Sequence, residues 1–306
     1  MNSNRALMKD AITSNSTLGT GGKLSPEQAR RFISYMVDNS EILKDTRLEQ
    51  MAAPEKQLDF ILIGSRLIRK ATEAASPSEL AGVTLNRKEL RSVKVRLSAD
   101  ITSEFLEDNI EGQSAADRIA RELAQQFSND LADLMLNGDT AATGTDASFL
   151  TIGDGIIKQA KTSTSTNKYV ISGTDYKGTI FPGMLDLMPN QFKRDRANMR
   201  FYCSSKVADA YIMSLADRAT ALGDTTLTSG RLSAFLGIQI FPVEYIPDDV
   251  IILTNRLNLV SGVQRSMKVY SQFNQRKDQT EYTMYMRIDP GKIVWDKALV
   301  IAYKNS

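Results

Sequence analysis

The densest set of chemistry-bearing side chains lies in residues 100–111, where Asp100, Glu104, Glu107, Asp108 and Glu111 fall close together. Glu104 with Asp108, and Glu107 with Glu111, stand four apart, a spacing that puts each pair on one helix face. Paired carboxylates of this kind can share acid and base roles or take a hard cation. Far more often they form a wetted surface leading into a helix, and that is the reading adopted. Lys193-Arg194-Asp195-Arg196, followed by Arg200, would suit phosphate or an acidic neighbour. The run is short and interrupted by an acid, so no dedicated DNA site is assigned to it. Gly153-Asp154-Gly155 and Gly19-Thr20-Gly21-Gly22 lack the spacing and the following Lys-Ser/Thr of a nucleotide loop. Ser204 and Ser205 have no histidine to activate them, because the chain contains none. That absence also removes the Cys-His pairs and most zinc sites. Cys203, the single cysteine, follows Met199, Phe201 and Tyr202 and reads as a buried structural thiol. Trp295 reads as a core or interface anchor. No catalytic residue, cofactor or metal site is assigned. A carboxylate-dependent enzyme built on residues 100–111 stays as the remote alternative.

The totals point the same way. The 306 residues carry 38 Lys plus Arg and 36 Asp plus Glu, so there is no basic excess of the kind that marks a nucleic-acid binder. No apolar run approaches the roughly 18–20 residues of a membrane span. The start, Met1-Asn2-Ser3-Asn4-Arg5, lacks a secretory apolar core. Divided by region, the charge is uneven. Residues 1–60 hold eight basic and eight acidic side chains. Residues 61–100 hold eight basic (Arg66, Arg69, Lys70, Arg87, Lys88, Arg91, Lys94, Arg96) against four acidic. Residues 101–139 hold Arg118 and Arg121 against nine acids. A basic projection of one copy lying on the acidic body of the next would use Arg87, Lys88, Arg91, Lys94 and Arg96 against Glu104, Glu107, Asp108 and Glu111, with sensitivity to salt. The bland alternative is two ordinary solvated faces.

The elements that must position these residues follow from periodicity. The first two dozen residues are rich in Ser, Asn, Thr and Gly and supply little packing surface, with at most a marginal helix over 4–12. Ser25, Pro26 and Gln28 open a helix whose apolar face is Ala29, Phe32, Ile33, Met36 and Val37. Leu58, Phe60 and Leu62 alternate outward and Val93, Val95 and Leu97 alternate back, around Ser76-Pro77-Ser78 and Gly82. This predicts a two-stranded ribbon over 56–97, marginal unless it lies on something else. The spacing of Ile119, Leu123, Phe127, Leu131 and Leu134 predicts a rod-like helix over 114–137, about 35 Å long. It is capped by Ser114 and Asp117 and stopped at Asn137-Gly138. A mixed α/β region follows the linker at 140–145. Its strands fall at 168–171, 199–203, 238–241 and 250–253; its helices fall at 179–192, interrupted near Pro182 or Pro189, and at 205–218. The end reads as sheet: 267–273, 282–288, a turn at Asp289-Pro290-Gly291, then Ala298, Val300 and Ala302 on one face with Leu299, Ile301 and Tyr303 on the other.

In order and separation, several strings resemble the major capsid proteins of tailed bacteriophages. They are Leu97-Ser98-Ala99-Asp100-Ile101-Thr102-Ser103-Glu104-Phe105-Leu106-Glu107-Asp108, Leu134-Met135-Leu136-Asn137-Gly138-Asp139, Phe201-Tyr202-Cys203-Ser204-Ser205, Leu236-Gly237-Ile238-Gln239-Ile240 and Asp296-Lys297-Ala298. The resemblance spans roughly residues 55–304 and implies an α+β, HK97-like capsid fold. It divides the chain into an N-terminal arm (1–55), an extended loop overlying a neighbour (56–97), a peripheral domain with a spine helix (98–149), an axial domain (150–260) and return strands of the peripheral domain (261–306). The implied function is a non-enzymatic subunit that self-assembles into an icosahedral head around double-stranded DNA, as pentamers and hexamers. The implied partners are a scaffolding protein, a portal protein, a possible decoration protein and weakly held, non-specific DNA, in a virion assembled in the bacterial cytoplasm. No motif around Lys70 or Lys88 marks a cross-linking lysine, so a non-covalent shell is expected. An encapsulin-like nanocompartment shell is the nearest alternative.

Overall fold

The computed structural model describes residues 22–23, 40–62, 84–102, 113–216, 234–264 and 268–304. The helices expected over 4–12 and from Ser25 to Val37, the ribbon tip, and Glu104, Glu107, Asp108 and Glu111 lie outside these residues.

The strands that are apolar at nearly every position form the centre of one sheet, because such runs need burial on both faces. They are β7 (Met199–Cys203), β10 (Val250–Asn255) and β14 (Leu299–Tyr303). The sheet runs β6 (Asn167–Val170), β14, β10, β7, β9 (Ile238–Pro242), β8 (Ala234–Phe235). Alternation sorts their side chains into two cores. Val250, Ile252, Leu299, Ile301 and Tyr202 enter one. Ile251, Leu253, Val300, Ala302, Phe201 and Cys203 enter the other. The second core is closed by α5 (Phe181–Leu187) and by α6 (Ser205–Ala216). The helix expected over 179–192 is therefore shorter. Pro182 sits in its first turn, where no N–H is required, and the helix ends before Pro189.

The first core is shared with the rod. Helix α2 (Gln113–Asn137) opens one residue before the expected Ser114 and is about 37 Å long. Its Phe127, Leu131, Leu134 and Met135 are buried there with Ile42 and Leu43 of α1 (Glu41–Asp45). A second sheet covers the same core. Its longest strand, β13 (Gln279–Ile293), pairs on one side with β5 (Val93–Thr102). On the other side it pairs with β12 (Lys268–Asn274) and then with β11 (Leu259–Gln264). Strand β2 (Arg47–Met51) lies parallel to β11, and β1 (Gly22–Lys23) pairs the outer edge of β12.

Three sequence expectations change here. Val93, Val95 and Leu97 do not return along the ribbon. The ribbon is β3 (Glu55–Leu62) against β4 (Thr84–Arg91), and β5 leaves it to pair with β13. Asp289-Pro290-Gly291 is not a turn. β13 runs through it with a bulge opposite Val260 and Gly262, where the missing N–H of Pro290 leaves no ladder bond unmade. The final segment 261–306 does not stay in one sheet, because β14 lies between β10 and β6 of the sheet built from residues 167–255.

Candidate functional site

The ribbon is the part of the molecule with the least support of its own, so its attachment matters most. Residues opposite one another on an antiparallel pair share a face. On one face stand Leu58 and Leu90, with Lys56 and Lys88 beside them. Leu90 and Leu58 are buried in a small third core with Met51, Val260, Val294 and the partly buried Trp295. The two lysines reach from this face to the body: Lys56 pairs with Glu49, and Lys88 lies 3.1 Å from Asp296. On the opposite face, Arg87 meets Asp59 at 2.8 Å and Arg91 meets Glu89 at 2.9 Å.

The sequence reading of a strongly basic projection is altered by these contacts. The described ribbon strands hold four cations (Lys56, Arg87, Lys88, Arg91) and three carboxylates (Glu55, Asp59, Glu89). Arg87, Lys88 and Arg91 each have a carboxylate within the chain. The excess counted over 61–100 comes from Arg66, Arg69 and Lys70, outside the described residues, and from Lys94 and Arg96, which stand on β5 in the body sheet.

Where β4 turns into β5, the chain is held by Asp289. This carboxylate is 1% exposed and accepts the Arg91 backbone N–H at 2.7 Å and the Gly291 N–H at 3.2 Å. Burial pushes its carboxyl above the usual range, against the opposing pull of Lys292 and the two amides. Ser92 closes the base by donating both its N–H and its hydroxyl to the Pro54 carbonyl, each at 2.9 Å. Gly262, opposite Asp289, has no room for a Cβ, which would come within 3.1 Å of the Asp289 Cβ and 2.7 Å of the Met51 sulfur.

Lys94 and Arg96 contribute to a different surface. Strands β13 and β5 present one face on which Tyr285 and Arg96 form a row, with Arg287 and Lys94 in the next. The Lys94 ammonium sits 4.3 Å from the Tyr285 ring centroid, and Tyr270 meets Tyr285 edge-on at 6.0 Å. Among the described residues no carboxylate lies in salt-bridge contact with Lys94, Arg96 or Arg287. Further along the same face the charge reverses. Asp100 accepts from Gln279 at 3.1 Å, and Glu281 accepts from Asn274 at 3.0 Å. Asp100 is thus the one member of the acidic cluster that can be placed, exposed on β5.

The remaining motifs are structural. Gly153-Asp154-Gly155 seals the end of α2. The Gly155 N–H donates to the Gly138 carbonyl at 2.7 Å, and a Cβ on Gly138 would collide with the Gly153 carbonyl. Asp154 accepts the N–H and hydroxyl of Thr140 and contacts Lys158 at 2.8 Å, while Lys158 also reaches Asp139 at 2.5 Å. Burial opposes ionisation of Asp154, but the bonds from Lys158 and Thr140 outweigh it and hold the carboxyl at about 2. Cys203 is fully buried and burial alone pushes its thiol up to about 12, so it is no nucleophile. Ser204 lies at the start of α6, its Oγ 3.4 Å from the Val207 N–H. In the basic run, Arg196 donates to the Leu236 carbonyl and Arg200 to those of Ala197 and Met199. Sequence reading missed Asp45, which accepts from the buried Tyr202 hydroxyl at 2.7 Å and lies 3.8 Å from both Arg200 and Arg256. Nothing in the spacing of residues so far apart announces that contact. Among the described residues no group of His, Cys, Asp and Glu is arranged to hold a metal ion, and no helix is long and apolar enough to cross a membrane.

No family model matches the chain. A putative prophage capsid protein of Bacillus subtilis, YqbE, is 29% identical over 280 residues, which cover 87% of this chain and 88% of that protein. Among solved structures, the satellite phage P4 procapsid superposes with a TM-score of 0.69 at 15% identity, covering 99% of this chain and 98% of the other. The capsid of an empty GTA particle gives a TM-score of 0.62 at 14% identity, covering 88% and 90%. The chain has the mixed α+β, HK97-like capsid-protein fold.

Proposed function

We propose that this chain is a capsid subunit that self-assembles into the icosahedral head shell of a tailed phage or prophage. One observation carries the reading. The β3–β4 ribbon leaves the body at Pro54 and Ser92 and is held at its base by a small core, one buried carboxylate and two lysine pairs. Two-stranded ribbons are marginal in water, so its outer part calls for a surface on another copy. Closed symmetry then adds many modest contacts into a stable shell of pentamers and hexamers. The likeness to procapsid and capsid chains over nearly the whole length supports the same conclusion.

Within that reading, the basic half of the β12–β13–β5 face takes the acidic stretch of a neighbour. Lys94 and Arg96, with Arg287 beside them, are the cations left for Glu104, Glu107, Asp108 and Glu111 of another copy, while Arg87 and Arg91 pair with carboxylates of the ribbon itself and Lys88 pairs with Asp296 of the body. A scaffolding protein, a portal protein, a possible decoration protein and weak, sequence-independent contact with packaged DNA complete the assembly, which takes place in the bacterial cytoplasm.

Negative-stain microscopy of the expressed chain, alone and with a co-expressed scaffolding protein, tests the proposal. Closed shells are expected. A monodisperse monomer at high concentration under both conditions would overturn it. Shells filled with an enzyme rather than able to package DNA would move the assignment to a nanocompartment.

A further inference from the structure

The hairpin of β8 and β9 is closed by two residues, Leu236 and Gly237, whose φ angles are 49° and 83°. A two-residue turn of this kind needs positive φ at both positions and favours Asn-Gly. Gly237 meets that demand freely, whereas the Cβ of a leucine held there is crowded. Burial does not offset the strain, because Leu236 is 59% exposed. The support beneath it is firm. Phe235 sets its ring against Phe181, Phe201 and Tyr211, and the Tyr211 hydroxyl donates to the Ala234 carbonyl. Arg196 donates to the carbonyl of Leu236 itself at 3.1 Å. A large apolar side chain kept at a strained tip on a fixed base is a preformed knob, and contact with another surface is what would offset its strain.

The opposite edge of the same sheet carries a matching corner. β8 and β6 are its two outer strands, and α5 packs over β6 and β14. The last two residues of α5, Asp186 and Leu187, are both exposed, Leu187 by 41%. Charge matches as well. In the basic run that reaches the knob through Arg196, Asp195 accepts from Asn198 at 2.7 Å, and Arg194 and Arg196 are exposed. Among the described residues, Arg194, Arg196 and Asp186 enter no ion pair. We propose that Leu236 docks on the Leu187 corner of a second copy, with Arg194 and Arg196 facing Asp186 there, and that the contact repeats head to tail. Contact between two different surfaces on opposite edges closes into a ring, whereas either surface meeting itself would bring like charges together. The contact presupposes the shell proposed above and assigns to it a residue whose strain the free subunit carries for the assembly.

Leu236→Asn suits the turn and removes the knob, so it separates folding from assembly. In the full chain the melting temperature of the unassembled subunit is expected to hold or rise. The yield of sedimenting particles is expected to fall by roughly tenfold or more. An unchanged yield would overturn the proposal. A fall in melting temperature and yield together would do the same, because it would mark Leu236 as a residue of the fold. Charge exchange tests the corner. Arg194→Glu and Asp186→Arg are each expected to depress yield, and the two combined in one chain to restore it. Single variants without effect, or a double variant that assembles no better than either, would rule out the Leu187 corner. The wild-type chain run alongside keeps the two readings apart. Closed wild-type shells with variants that behave otherwise refute the docking contact alone. A wild-type chain that stays monomeric refutes the shell and this contact with it.

Discussion

Two buried or half-buried carboxylates carry opposite electrostatic signatures, and each makes its own prediction. Asp289 holds the ribbon base through the Arg91 and Gly291 amides while burial raises its carboxyl. Asp289→Ala leaves the buried Gly291 N–H and the part-buried Arg91 N–H without this acceptor, an expected loss of about 1–3 kcal/mol. Amide exchange of β3 and β4 should quicken while the β10–β14 ladder keeps its protection. Equal loosening of both would show that Asp289 supports the whole fold and not the ribbon. Asp154 works the other way. Its folded value of about 2 lies below the ordinary 3.8, so the unfolded chain binds the proton more readily. The clasp's contribution is complete above the ordinary value and is lost as pH falls through about 2. In denaturant titrations at descending pH, Asp154→Asn should flatten the acid-side loss of stability in that window, and a slope identical to wild type would contradict the assignment.

At the scale of elements, burial on the third core fixes the ribbon's angle. Leu90 is fully buried among Met51, Leu58, Val260 and Val294. Leu90→Ala should cost about 2–5 kcal/mol by leaving a cavity, and the ribbon should come loose before the sheets do. Proteolysis between residues 55 and 91 would detect this, and cleavage beginning elsewhere would argue against it. The rod and the central strands were legible in sequence because their burial is periodic or continuous. Phe127, Leu131 and Leu134 trace one helix stripe, and the two faces of β14 were separated correctly by alternation alone. The ribbon's return strand was not, because Val93, Val95 and Leu97 alternate equally well against β3 or β13. The choice belongs to Asp289, which seizes the Arg91 amide from across the sheet. Asp289-Pro290-Gly291 misled for a related reason: turn chemistry and bulge chemistry use the same residues, and only the partner strand distinguishes them.

For the whole molecule, the distribution of paired and unpaired charge decides which surface governs assembly. Exposed ion pairs within one chain contribute little and leave little for a neighbour. By that measure Arg87, Lys88 and Arg91 are occupied, and the cationic rows around Tyr285 hold the charge that remains available. A neighbour's acidic stretch docking there gains through steering and register, both of which weaken as salt shortens the range of the field. Lys94→Glu with Arg96→Glu should therefore leave the subunit's melting temperature within a few degrees of wild type. It should also depress particle yield most strongly at low ionic strength, where repulsion between like charges is least screened. Arg87→Glu with Arg91→Glu should do the reverse, loosening the ribbon while changing the salt dependence of yield much less. Sedimentation of assembled and free chain across a salt series separates the two. If both pairs shifted the salt dependence equally, the register would reside in the ribbon after all, and the sheet face would be an ordinary solvated one.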